Sequence, residues 1–224
     1  MGSIWQGLLD GFTWLIEILY RFSGNYGMAI VLLTLLVRGV LWPLTWPQAV
    51  SARKMQDIQP QLQELQKKYK NNPDKLNQET MKLWQENGVN PAAGCLPLLL
   101  QLPILYGLYG ALRVYPQFVG AGFLWLADLS RPDSIFILPV LAAVTTLAQT
   151  WISMRTSAVS GAAGQQQRMM MIIMPLFIGW ITFSLPAGLG VYFVVTNLFS
   201  VFQTAMVPVI MARSARPGAQ QGGK

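Results

Sequence analysis

A permanent cation inside an apolar run is the chemically unusual feature of this chain. Arg38 lies in LLTLLVRGVLWPL, residues 32–44. A guanidinium holds its proton in proteins, so it cannot work as a general acid or base. Its chemistry is attraction and multiple hydrogen bonding to an anion or a polar group. A helical span beginning at Tyr26 puts Arg38 about 18 Å deep, near the bilayer middle. Insertion scales place an arginine there at roughly +2.5 to +3.5 kcal/mol. An acid within the spans would offset this, but none is present. Asp10, Glu17, Asp57, Glu64, Asp74, Glu79, Glu86, Asp128 and Asp133 all fall outside them. Two readings follow. Arg38 could pin the bundle by bonding neighbouring carbonyls and side-chain oxygens. Alternatively it faces a watery cavity and takes its counter-charge from a bound substrate. The default for an ionisable residue in a span is the functional reading.

Other polar side chains favour a cavity. Thr34 lies one turn before Arg38 on the same face. Gln101 and Gln149 each interrupt an apolar run. Tyr192, Thr196, Ser200, Gln203 and Thr204 recur along one helix face. Such residues can also serve as interhelical hydrogen-bonding groups. The stripe and Arg38 together point to a hydrated groove.

Several function classes are excluded or disfavoured. The chain has one cysteine, Cys95, and no histidine, so it has neither an intrachain disulfide nor a Cys/His metal cluster. No GxxxxGK[ST] phosphate loop is present, and no nucleophile–base pair stands out. No cofactor is expected and enzyme chemistry is disfavoured. A proton relay lacks titrating groups in the spans. Direct nucleic-acid binding is a poor account of the +7 net charge, because the basic residues sit on loops flanking apolar spans.

The elements that must position these residues are helical and membrane-bound. Residues are 53% hydrophobic and only 11% charged, where a soluble domain carries about 25% charged. Apolar runs of span length are expected at 26–46, 95–112, 134–154, 169–185 and 189–210. Pro43 and Pro47 should kink or end the first of these. Residues 4–22 read as an interfacial amphipathic helix, with Asp10, Thr13, Glu17 and Arg21 opposite its apolar face. Residues 51–88 read as a charged two-helix hairpin, mobile against the spans. Met55, Ile58, Leu62, Leu65 and Tyr69 form one seam, and Leu76, Thr80, Leu83 and Trp84 the other. Asn72 is the expected cap of the second helix, with Pro73 at its first position and Gly88 at its stop. The loop 113–133 carries the aromatic FLWLADL stretch, expected at the interface. Residues 155–168 are expected as a flexible loop, and 213–224 as a disordered tail. Thus 1–212 is a single all-α polytopic unit. Residues 1–22 lack the basic start of a cleavable signal peptide and a lipid-attachment cysteine, as in a short natural or a mature form.

Basic residues orient the chain. Seven fall between 48 and 94, two in 155–168 and three in the tail, against Arg21, Arg113 and Arg131 on the other side. The positive-inside rule puts the hairpin and C-terminus in the cytoplasm and the N-terminus outside.

LLVRGVLWPLT, NPAAGCLPLLLQLPI and SLPAGLGVYFVVTNL, in this order and with a charged hairpin after the first, resemble the YidC/Oxa/Alb membrane protein insertases. The likeness covers about residues 20–210. It implies a bacterial plasma-membrane insertase and folding chaperone. Five spans would enclose a hydrophilic groove, closed outside and open to cytoplasm and lipid. Arg38 matches the groove arginine that attracts the acidic or polar outer segment of a substrate. Thr34, Gln101 and the aromatic pair Tyr192–Phe193 match further groove positions, with Phe193 standing where relatives often carry tyrosine. The large external domain and long basic tail of some relatives are expected to be missing. The implied partners are nascent membrane proteins, the ribosome (through the cytoplasmic loops), the lipid bilayer and, optionally, the Sec translocon. The competing reading from the residues is a small anion channel or carrier with Arg38 as its anion site.

Overall fold

A computed structural model of the chain describes residues 2–89, 96–155 and 162–214. These are helical almost throughout: α1 (Gly2–Ser23), α2 (Tyr26–Asp57), α3 (Gln59–Lys68), α4 (Pro73–Glu86), α5 (Leu96–Val114), α6 (Ile137–Arg155), α7 (Ala162–Thr182) and α8 (Ala187–Ser214). A 3-10 turn, Pro116–Phe118, follows α5.

Local chemistry sets the boundaries. Gly24 adopts φ +67°, which ends α1, and Asn25 then caps α2 by accepting from the Gly27 and Met28 N–H groups. Of the two expected effects of Pro43 and Pro47, a kink or an end, the end does not occur: the helix runs on to Asp57. The break comes at Ile58, just before Pro60 in the first turn of α3. Asn72 caps α4 through the Lys75 N–H, and Gly88 follows that helix at φ +59°. Cys95 lies outside the described residues. So do 156–161 of the expected flexible loop and all but two residues of the expected tail. Residues 162–168 of that loop already belong to α7.

Two helical segments, Tyr26–Asp57 and Ala187–Ile210, are long and apolar enough to cross a membrane. Leu99–Val114, Ile137–Ile152 and Ile172–Thr182 are shorter apolar helices. α8 is the hub, packing on α2, α5, α6 and α7. α1 packs on α2 and α5, and α6 on α7. Burial is concentrated at one end. The core joins Ile16, the start of α2 (Ala29, Ile30, Leu33), the end of α5 (Leu108, Ala111, Leu112) and the start of α8 (Ala187, Leu189, Val191, Tyr192). Phe118, Leu126 and Leu129 of the connecting segment close over it. That segment also satisfies the free N–H groups at the start of α8. Ala187 N–H donates to the Arg131 carbonyl (2.8 Å) and Gly188 N–H to the Leu129 carbonyl (3.0 Å). Gly190 lets α6 come close, since a Cβ there would stand 2.3 Å from a Leu138 methyl.

The α1 helix differs from its expected pattern. Thr13 is buried and donates to the Leu9 carbonyl (2.9 Å). Asp10 accepts from the Tyr115 hydroxyl, and Glu17 from the Gln117 amide at 3.5 Å. The polar side of α1 is therefore tied to the segment after α5, while Trp14 and Phe22 remain exposed.

At the other end, α3 and α4 pair through Ile58, Leu83 and Val89, with Met55, Leu62, Leu65 and Trp84 packed alongside. Tyr69 is not in this cluster; Lys68 and Lys75 lie over its ring.

The capping segment has one acid-sensitive contact. Burial works against the Asp128 charge, but the Ser130 hydroxyl and N–H, the Gly120 N–H and Arg131 together hold its carboxyl below the usual 3.8. A depressed folded value stabilises the protein above the unfolded value and stops doing so as pH falls through the folded one. The gap in thermal midpoint between wild type and Asp128→Asn should hold from about pH 5 to 7 and close below about pH 4.

Candidate functional site

The sealed core ends within α2. Thr34 is 1% exposed, and its hydroxyl donates to the Ile30 carbonyl at 2.7 Å. One turn further, Arg38 is only half-buried. Its guanidinium makes no ion pair or hydrogen bond with another described residue. The three ion pairs among the described residues, Arg53–Asp57, Lys82–Glu79 and Arg131–Asp128, are local ones elsewhere.

Helix packing brings the sequence-predicted residues together in part. Tyr192 is buried on α8, a helix that packs against the α2 helix carrying Arg38. The Gln101 amide of α5 donates to the Tyr192 hydroxyl. Gln101 and Tyr192 thus meet across α5 and α8, and α2, which carries Arg38, packs on the same α8. α2 and α5 each pack on both α1 and α8. One turn along α8, Thr196 is buried with its hydroxyl unpartnered. Ser200 Oγ turns back to the Thr196 carbonyl (2.9 Å). Gln203 is buried and donates to Thr45 Oγ1 on α2 at 3.0 Å. Nearby, Trp42 of α2 packs edge-on against Phe199 of α8, with ring centroids 5.6 Å apart. Gln149 is half-buried on the α6 face that meets α8.

Phe193 faces differently. It meets Tyr192 edge-on (6.0 Å) and lines an apolar cleft of about 620 Å³ with Leu102, Tyr106, Ile181, Leu185 and Leu189. α5, α7 and α8 all contribute to this cleft.

Sequence reasoning missed Thr45 and the Asn197 contact. Asn197 Nδ2 donates to Thr146 Oγ1 (2.8 Å) and Thr145 Oγ1 (3.2 Å) across α6 and α8. The signal was an amide directly after Thr196, off the polar stripe by one residue.

This site offers one uncompensated cation, several neutral polar groups and an apolar cleft beside them. Among the described residues, no three His, Cys, Asp or Glu side chains group to hold a metal. Such a site suits receiving a polar or anionic segment attached to an apolar one.

The comparisons with known proteins bear on the same point. The family model for the 60Kd inner membrane protein matches residues 18–214. The membrane protein insertase YidC of Caldanaerobacter subterraneus subsp. tengcongensis is 46% identical over 189 residues, 84% of this chain and 88% of that one. The protein of the same name from Clostridium perfringens is 40% identical, covering 99% of this chain and 98% of its own. The chain belongs to the YidC/Oxa insertase family. A crystal structure of an active YidC insertase with its first transmembrane domain resolved is 33% identical, with a TM-score of 0.71. It aligns with 89% of this chain, which spans 46% of that longer one. Membership identifies this chain as a bacterial inner-membrane protein of an insertase family, a family of no known enzyme class. YidC membership also accounts for the all-helical architecture.

Proposed function

We propose that this chain inserts nascent membrane proteins into the bacterial inner membrane and helps them fold, using a hydrated groove between α2, α5, α6 and α8. The observation that carries the reading is the position of Arg38. It lies just past a core sealed at one end, half-buried and without an ionic partner among the described residues. Five apolar helices, α2 and α5 to α8, cross the bilayer. The capped end and the N-terminus face outward. The hairpin and C-terminus face the cytoplasm, in line with the basic residues of α2 to α4.

The substrate's emerging segment meets the α3–α4 hairpin, with the ribosome against the cytoplasmic loops. The Sec translocon is an optional partner. The polar outer segment enters the groove, lined by Arg38, Gln101, Gln149, Thr196, Ser200 and Gln203, with Tyr192 at its inner end; Thr34 lies in the sealed core behind it and Phe193 in the apolar cleft alongside. Arg38 lowers the cost of bringing a carboxylate into the membrane, because charges attract more strongly in a low-dielectric site. The apolar cleft beside Phe193 gives the substrate's span a lateral path, and burial in lipid drives its release. This step needs no nucleotide.

Purified protein in liposomes should insert a single-span substrate with an acidic outer segment above the level of empty liposomes. No insertion above that level, together with selective anion flux that vanishes in Arg38→Ala, would instead establish a channel.

A further inference from the structure

Thr146 is buried on α6, and none of the six residues after it, 147–152, is. Opposite it stands Asn197, 7% exposed, about 100° around α8 from the unpartnered Thr196. The direction of the contact is fixed by its chemistry. Thr145 Oγ1 gives its proton to the Leu141 carbonyl and Thr146 Oγ1 to the Ala142 carbonyl, both at 2.7 Å. With each hydroxyl proton spent on a backbone carbonyl, both oxygens are left to accept from Asn197 Nδ2. An amide fits this arrangement without disturbing it, whereas a carboxylate of the same shape would have to draw both hydroxyls off their backbone carbonyls and carry a charge into a buried position. Past this point α6 turns exposed at Leu147 and Ala148, and Gln149 is half-buried one turn on.

We propose that Asn197 is a positioning residue, a clamp that fixes the rotation and register of α6 on α8. It holds Gln149 of α6 and the Thr196–Ser200 wall of α8 around one cavity for the substrate's polar segment. Apolar packing alone would let the helices slide, because lipid solvates apolar faces as well as another helix does. An amide bonded to two adjacent hydroxyls admits one register. The proposal rests on the insertase reading.

The test uses two substrates in liposomes, one span with an acidic outer segment and the same span without it. The readout is the ratio of their insertion rates. Asn197→Leu, Asn197→Asp and the near-isosteric pair Thr145→Val/Thr146→Val should each lower that ratio about threefold, the size of an interhelical hydrogen bond in a membrane. Combining Asn197→Leu with the threonine pair should lower it no further. An unchanged ratio, an equal loss of both substrates or additive losses would overturn the clamp while leaving the insertase reading standing. If wild type inserts neither substrate, that reading falls and the clamp falls with it.

Discussion

Alanine at position 38 is expected to cut insertion of a substrate with an acidic outer segment by about tenfold or more, equivalent to at least ~1.4 kcal/mol. Two unit charges 4 Å apart attract by about 4 kcal/mol at an effective dielectric of 20. Arg38 is only half-buried, so solvent screens part of this. Arg38→Lys should keep most activity, because a point charge suffices, and Arg38→Glu should lose nearly all of it. Thermal stability should behave in the opposite sense. Arg38 makes no hydrogen bond with a described residue, so removing it leaves no described partner stranded. The midpoint of Arg38→Ala in detergent should equal or exceed wild type, since an unpaired cation is itself a burden to a partly buried site. Lost insertion with retained stability separates a substrate-facing charge from a structural pin.

The largest stability effect is expected at Asp133. It is 6% exposed in the segment before α6. Its carboxylate accepts from Leu138 N–H (2.7 Å), Ile135 N–H (3.1 Å) and the Trp125 indole N–H (3.4 Å). Asp133→Ala leaves two backbone donors and one side-chain donor without this acceptor. The loss of this acceptor in the first turn of α6, with the buried Leu138 N–H stranded and the two part-buried donors left to solvent, should cost about 2–3 kcal/mol. Asp133→Asn retains one acceptor oxygen and should recover roughly half of that. The measurement is the thermal midpoint followed by tryptophan fluorescence. A fall in midpoint no greater for Asp133→Ala than for Asp133→Asn would contradict the capping role.

Much of this architecture can be read from residue patterns, and the exceptions have physical causes. The hairpin turn was legible because Asn72-Pro73 is a local signal that needs no tertiary partner. Pro43 and Pro47 left the end of α2 open between a kink and a stop, and α2 continues as one helix through both. Neighbouring helices and side chains can satisfy the backbone groups that proline frees in membrane helices. Thr13 was placed on the polar face of α1 by its residue type. Its hydroxyl instead bonds back to the Leu9 carbonyl, so it can be buried there. Thr34 does the same with Ile30, and lies in the core above Arg38. Arg38, Gln101 and Tyr192 stand out singly by polarity, but the Gln101–Tyr192 contact depends on α5 packing on α8, and the place of Arg38 on α2 packing there too, which periodicity does not encode. Asn197 escaped for a related reason. A stripe search follows one helix face, whereas its partners Thr145 and Thr146 lie about fifty residues away on α6.

Site-specific photo-crosslinking to ribosome-bound nascent chains tests the groove most directly. A photoreactive side chain replaces Gln101, beside Tyr192, or Leu124, exposed on the capped outer end. The account predicts that position 101 crosslinks the substrate's polar outer segment during insertion, that Arg38→Glu abolishes the product, and that position 124 gives none at that stage. Equal crosslinking from both positions, or none from 101 while insertion proceeds, would contradict it.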